Sequence, residues 1–142
     1  DGVDVVEAPK PGEAFAPLPT PVPLTAAQEE GKNLFLKNGC NACHAIRGVA
    51  NGAIGPALNR IYEEALQRIQ SDDYKASQGK ATTPEEYIYE SIVNPQAYIV
   101  PQCPQGPCPA NVMPANYGDI IPAADLNKIV DYLSTLGRPA DQ

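Results

Sequence analysis

The stretch Cys40-Asn41-Ala42-Cys43-His44 constrains this chain more than any other feature. It sets two thiols and an imidazole on a single turn of backbone. Three chemistries use such a cluster. C-x-x-C-H is the spacing of covalent haem attachment. There the two thiols add to two vinyl groups as thioethers, and the adjacent imidazole is thereby delivered to the iron. A zinc half-site would need a second pair of ligands, for which the remaining cysteines are Cys103 and Cys108. A redox dithiol of the thioredoxin kind would need a βαβ setting, which the surrounding pattern lacks. The motif therefore reads best as the attachment site of one haem c, covalent through Cys40 and Cys43, with His44 as an axial metal ligand.

An iron held in this way has a second axial position. His44 is the only histidine, so two histidines of the same chain cannot ligate it. Met113 is the only methionine, and Met113-Pro114 stands in a proline-rich loop instead of on an apolar helix stripe. A core methionine is the ordinary reading of a lone Met, because the side chain fills irregular gaps. Its loop setting favours ligation here. A soft, neutral thioether favours ferrous iron and raises the reduction potential.

The 142 residues suit one domain with an appendage. Seventeen acidic against ten basic side chains give a net charge of −7. Nucleic acid needs a cationic surface and is an unsuitable partner, whereas a basic protein surface is a suitable one. No apolar run approaches the roughly 20 residues that span a bilayer. Six of the 16 prolines lie in residues 1–24, several of them alternating with other residues. Proline fixes φ and removes donors, so this segment is expected to be extended. Its apolar side chains, including Val3, Val5, Val6, Phe15 and Leu18, favour an arm lying on the domain or on a partner over a solvated linker. Residues 25–142 form the domain proper.

Helical signals fill that domain. Thr25 and Gln28 fit a capping box ahead of a helix from Ala26 to Lys37, which Asn38-Gly39 stops. Leu58, Ile61, Tyr62, Ala65, Leu66 and Ile69 keep the 3.6-residue period over a second helix. Residues 71–73 and 78–80 read as loop. Thr83-Pro84-Glu85-Glu86 opens a third helix, with Glu86 closing its box, and Asn94-Pro95 ends it. Residues 95–119 read as one long loop. A last helix starts near Pro122, buries Leu126, Ile129, Val130 and Leu133, and ends by Gly137. Strand alternation is unconvincing throughout, so the fold class is all-α.

In these surroundings the chain resembles the class I (mono-haem) cytochromes c of bacterial respiratory type. A helix leads into the haem motif. Gly55-Pro56-Ala57-Leu58 matches the family's G-P-x-L, and Asn94-Pro95, Met113-Pro114 and the closing helix with Tyr132-Leu133 stand where the family has them. The resemblance covers about residues 25–137. It implies the class I fold around one haem, with the Pro56 carbonyl accepting a hydrogen bond from the His44 imidazole. Residues 1–24 fall outside it. Residues 61–81 are long for the family and suggest an inserted helix, and the Cys103–Cys108 pair is extra.

Haem attachment occurs outside the cytoplasm, where disulfides persist, so Cys103 and Cys108 are expected to be bridged just ahead of Met113. The bridge would stabilise the loop and could hold Met113 at the iron. Arg60 is a candidate partner for a haem propionate, and Tyr98 could donate to a propionate or simply pack. Ile46, Leu58, Ile88, Ile92 and Val100 are expected to wall the haem pocket. With both axial positions filled, one-electron transfer is the expected function, and the chain is a carrier instead of an enzyme. The resemblance implies carriage from a membrane quinol-oxidising complex to a terminal haem–copper oxidase. The alternatives are a fixed haem subunit of a larger membrane redox complex, or a peroxidase or gas sensor with a displaceable Met113. The expected protein is a monomer, peripheral to the membrane, periplasmic or otherwise extracytoplasmic, its leader removed.

Overall fold

The computed structural model describes residues 23–138. Most of the arm expected over residues 1–24 lies outside the described residues. Six helices carry the domain: α1 (Ala26–Lys37), α2 (Ile61–Arg68), α3 (Asp72–Ala76), α4 (Pro84–Val93), α5 (Tyr117–Ile120) and α6 (Ala123–Leu133). A 3-10 turn, Cys40–Ala42, follows α1. Two antiparallel ribbons of two-residue strands complete it: β1 (Ala45–Ile46) with β2 (Ala50–Asn51), and β3 (Gln102–Cys103) with β4 (Gly106–Pro107). Strands this short cannot show alternation in a sequence, which is why they pass unseen there.

The crossing of α1 and α6 frames the domain. Gly31 makes it possible, since a Cβ there would run into the Lys128 carbonyl. Phe35 and Ile129 are fully buried at this contact, and the Phe35 ring meets the edge of Tyr132 at 6.4 Å. Each such side chain stabilises by about 1.5–3 kcal/mol through burial. Polar pairs close the rim: Gln28 donates to Asp131 at 3.1 Å and Lys128 pairs with Glu30 at 3.0 Å. The helix α4 packs against both α2 and α6.

The capping box of α1 is complete, with Gln28 N–H donating to the Thr25 hydroxyl at 3.1 Å and Thr25 N–H to the Gln28 side chain at 3.0 Å. Thr83 likewise caps α4. Its Glu86 departs from the expected box: the carboxylate takes the N–H and hydroxyl of Thr82, at 2.9 and 2.8 Å, one residue further back. The second helix starts at Ile61 instead of Leu58, because Ile61 N–H first closes a turn on the Leu58 carbonyl at 3.1 Å.

The segment after it is not all loop. Ser71 accepts from Tyr74 N–H at 3.1 Å and starts α3. That helix has too few residues to be stable alone. It exists because Tyr74 is buried, with its ring at 5.6 Å from Tyr87 and 5.3 Å from Tyr98. Its hydroxyl donates to Glu90 at 2.5 Å and accepts from Ala81 N–H at 2.8 Å. A second short helix, α5, sits at the end of the stretch read as loop.

Candidate functional site

The sequence between α1 and α2 builds one side of the site almost entirely from local contacts. Gly39 at φ 79° turns the chain out of α1. Ala42 N–H then bonds the Gly39 carbonyl at 3.0 Å, and His44 N–H the Cys40 carbonyl at 3.1 Å. Both thiols and the imidazole are thus held on one compact turn. Cys40 and Cys43 are free and partly buried. Burial pushes the Cys40 thiol above its ordinary pKa, opposed by a backbone hydrogen bond.

The chain next reverses through β1 and β2 and folds back on the motif. Gly55 N–H donates to the Cys43 carbonyl and Leu58 N–H to the Ala45 carbonyl, both at 2.8 Å. The approach is close enough to exclude side chains: a Cβ on Gly52 would sit 2.6 Å from His44 N, and one on Gly55 2.7 Å from the His44 ring. Here the His44 Nδ1 lies 2.8 Å from the Pro56 carbonyl oxygen. A carbonyl can only accept, so Nδ1 carries the proton. Burial lowers the imidazole pKa, and the Pro56 bond partly offsets this. The neutral ring therefore presents an Nε2 lone pair, the form that binds metal.

His44, Cys40, Cys43, Pro56 and Met113 all line one cavity, about 1210 Å³ including its open mouth. Its wall is overwhelmingly apolar, built from Phe35, Ile61, Ile88, Ile92, Ile129 and Leu133 among others. Of the five side chains expected to wall it, Leu58, Ile88, Ile92 and Val100 do. Ile46 does not; it is buried in the core behind, on the β1–β2 ribbon. Met113 arrives on the long loop between α4 and α5 and packs against the core.

The two propionate candidates part company. Tyr98 lines the cavity and packs on Tyr74. Arg60 is not on the cavity wall; it precedes α2 and pairs with the buried Glu63 at 3.3 Å. The arginine that lines the cavity is Arg68. It donates to Glu64 at 3.1 Å and to the Tyr87 hydroxyl at 3.3 Å, with its guanidinium 5.8 Å above the Tyr87 ring. Burial raises the Glu64 carboxyl pKa, opposed by the charge of Arg68. A smaller, more polar crevice adjoins at this corner, sharing Arg68, Tyr98 and Val100 with the main cavity. Sequence reasoning named Arg60 and passed over Arg68. Its register held the signal, since Ile61 and Arg68 are seven residues apart on one helix face.

Cys103 and Cys108 are bridged, with Cα atoms 4.9 Å apart, and both line the cavity. No helix among the described residues is long and apolar enough to cross a membrane.

The donor set fits a covalent haem. Two unpaired thiols, an imidazole with a free Nε2, a thioether and a cation occupy a cavity otherwise suited to an apolar macrocycle. Comparison with known proteins agrees. Cytochrome c2 iso-1 of Magnetospirillum fulvum is 29% identical over 101 residues, covering 70% of this chain and 92% of that protein. Residues 28–137 match the sequence model of the family described as cytochrome c. The match takes in the motif, the Pro56 turn, the Met113 loop and both framing helices, so the chain belongs to the cytochrome c family, with one covalently attached c-type haem and electron transfer as its general role.

Proposed function

We propose that this chain is a soluble, extracytoplasmic one-electron carrier with His44 and Met113 as the axial ligands of its haem. The haem supplies the redox couple. The chain supplies two thiol anchors, an oriented imidazole, a thioether and a dry wall. The observation that carries this reading is the convergence of Cys40, Cys43, His44 and Met113 on one apolar cavity. With His44 and Met113 both ligating the iron, substrates would be kept from it, which suits transfer instead of catalysis. Arg68 and Tyr98, at the polar corner of the cavity, would hold the haem propionates, with Arg68 taking the role expected of Arg60. The α3 turn supports reading residues 61–81 as an insertion.

The resembling bacterial respiratory proteins support a route from a membrane quinol-oxidising complex to a terminal haem–copper oxidase. The net charge of −7 suits partners with basic docking faces. Met113→Ala tests the ligation. The parent's ferric protein is expected to show the weak near-infrared sulfur-to-iron band, and the variant to lose it and fall in potential while keeping its covalent haem. A folded ferric parent without that band at neutral pH would refute Met113 as ligand.

A further inference from the structure

We propose that the Cys103–Cys108 disulfide is a positioning clamp for the sixth ligand, holding Met113 at the iron. The proposal rests on Met113 being that ligand. Three observations carry it.

The bridge is part of the cavity wall. Cys103, Cys108, Pro109, Val112 and Met113 all face the same space, so the clamp and the ligand belong to one stretch of wall. Met113 lies five residues beyond Cys108, with no helix or strand between them.

The stretch has little else to hold it. Among the described residues, the ties of 101–113 besides the disulfide and the packing of Met113 itself on the core are the β3–β4 pairing and two hydrogen bonds. Cys108 N–H reaches the Pro101 carbonyl at 3.4 Å, and Asn111 N–H the Gln96 side chain at 3.1 Å. Two-residue strands do not hold a hairpin in water by themselves. Pro101, Gln102, Pro104, Gln105, Pro107, Ala110 and Asn111 lie off the wall of the main cavity and are exposed, so packing against the rest of the domain holds little of the stretch.

The bridge is poorly placed for general stability. It closes a ring of sequence separation 5. Loop entropy gained from so small a ring is at the bottom of the usual range. Its effect is local: it keeps the hairpin folded against the cavity and shortens the free chain leading to Met113. Without it the thioether is expected to leave the iron more often, because an unclamped loop gains conformational freedom when it dissociates.

The test compares holo-protein with and without the bridge. Cys103→Ser/Cys108→Ser removes both thiols, so neither can compete for the haem vinyl groups. The measurements are the near-infrared band of the ferric protein against pH and carbon monoxide uptake by the ferrous protein. The expected result is bleaching of the band at least one pH unit lower than in the parent, with faster carbon monoxide uptake by at least tenfold. Should the double variant fail to mature, the assembled parent is treated with a water-soluble phosphine and its thiols alkylated, then measured in the same way. Unchanged band, pH midpoint and uptake, with only a lower melting temperature, would overturn the clamp and leave the bridge a plain stabiliser. A parent that lacks the band altogether would instead refute Met113 ligation, so the two failures are distinct.

Discussion

The two segments that bring ligands to the cavity are built in opposite ways. Residues 39–58 deliver His44 through short-range backbone bonds, a two-stranded ribbon and glycines that admit no side chain. Residues 94–117 deliver Met113 through a long, exposed loop held by a ribbon, a disulfide and a few hydrogen bonds. The histidine is over-determined: covalent anchors, the Pro56 carbonyl and close packing all specify one orientation. The methionine is placed at a distance and depends on what the loop leans against. Local unfolding begins where buried contacts are few. The methionine side is therefore where ligation yields first, and the histidine side is where assembly itself is decided.

The largest effect is expected from breaking the histidine side. Gly55→Val places a Cβ 2.7 Å from the His44 ring, and backbone on both flanks limits relief. Overpacking of this kind costs about 1–3 kcal/mol. Here it also turns the imidazole off the Pro56 carbonyl. Expression of the variant is expected to yield little holo-protein, measured as haem bound covalently per chain. Normal incorporation with an unchanged ferric spectrum would show that the ring is less constrained than its contacts imply.

What a sequence reveals follows the same division. The histidine side is written in consecutive residues: Cys40, Cys43 and His44 in one motif, and Gly55-Pro56 as a turn that only a close approach requires. Framing helices are legible for a similar reason, since Thr25 and Thr83 cap from fixed offsets and Leu126, Ile129, Val130 and Leu133 repeat with helical period. Around the methionine, the determinants are tertiary. The short helix α3 forms because Tyr74 is buried by Tyr87 and Tyr98, residues distant in sequence. Arg60 and Arg68 look equally available as sequence. Only the start of α2 at Ile61 decides which of them faces the cavity.

A middle-sized effect is expected from loosening the support behind the methionine loop. Tyr74 packs on Tyr98, where that loop begins, and Gln78 N–H bonds the Ala97 carbonyl at 3.1 Å. Tyr74→Phe keeps the ring and removes the hydroxyl that joins Glu90 to Ala81 N–H. Loss of a buried bond to a charged acceptor costs about 1–3 kcal/mol. The variant is expected to melt lower and to lose the near-infrared band at a lower pH, with haem content unchanged. The difference also has a pH signature. Burial and then the Glu90 bond push the Tyr74 hydroxyl up to about 12, against an unfolded value near 10. Its contribution is complete below about pH 10, where both states hold the proton, and is lost between about 10 and 12 as the unfolded chain ionises first. The gap between parent and variant in chemical denaturation should narrow across that window. A gap independent of pH would mean that the hydroxyl bond is not what stabilises the support.

The smallest effect separates both ligand segments from the electrostatics of the cavity. Arg68 belongs to neither; it reaches the wall from α2. Arg68→Leu removes a positive charge beside the haem site and leaves His44 and Met113 in place, although Arg68 neighbours Tyr98 of the methionine loop at the cavity corner. A nearby cation disfavours the ferric state, which carries one more positive charge, so its removal is expected to lower the reduction potential. The guanidinium is partly solvated, its side chain 18% exposed, so screening keeps the effect below about 1 kcal/mol per electron. Glu64 complicates a single substitution, because losing Arg68 leaves its carboxylate unpaired in a partly buried place. Arg68→Leu/Glu64→Gln removes both charges, and the potential of the double variant is expected to lie between those of the single variant and the parent. Through the whole series the near-infrared band should be unchanged. A potential that falls together with the band would mean that α2 also supports the methionine loop, and the division between the two ligand segments would then have to be redrawn to include it.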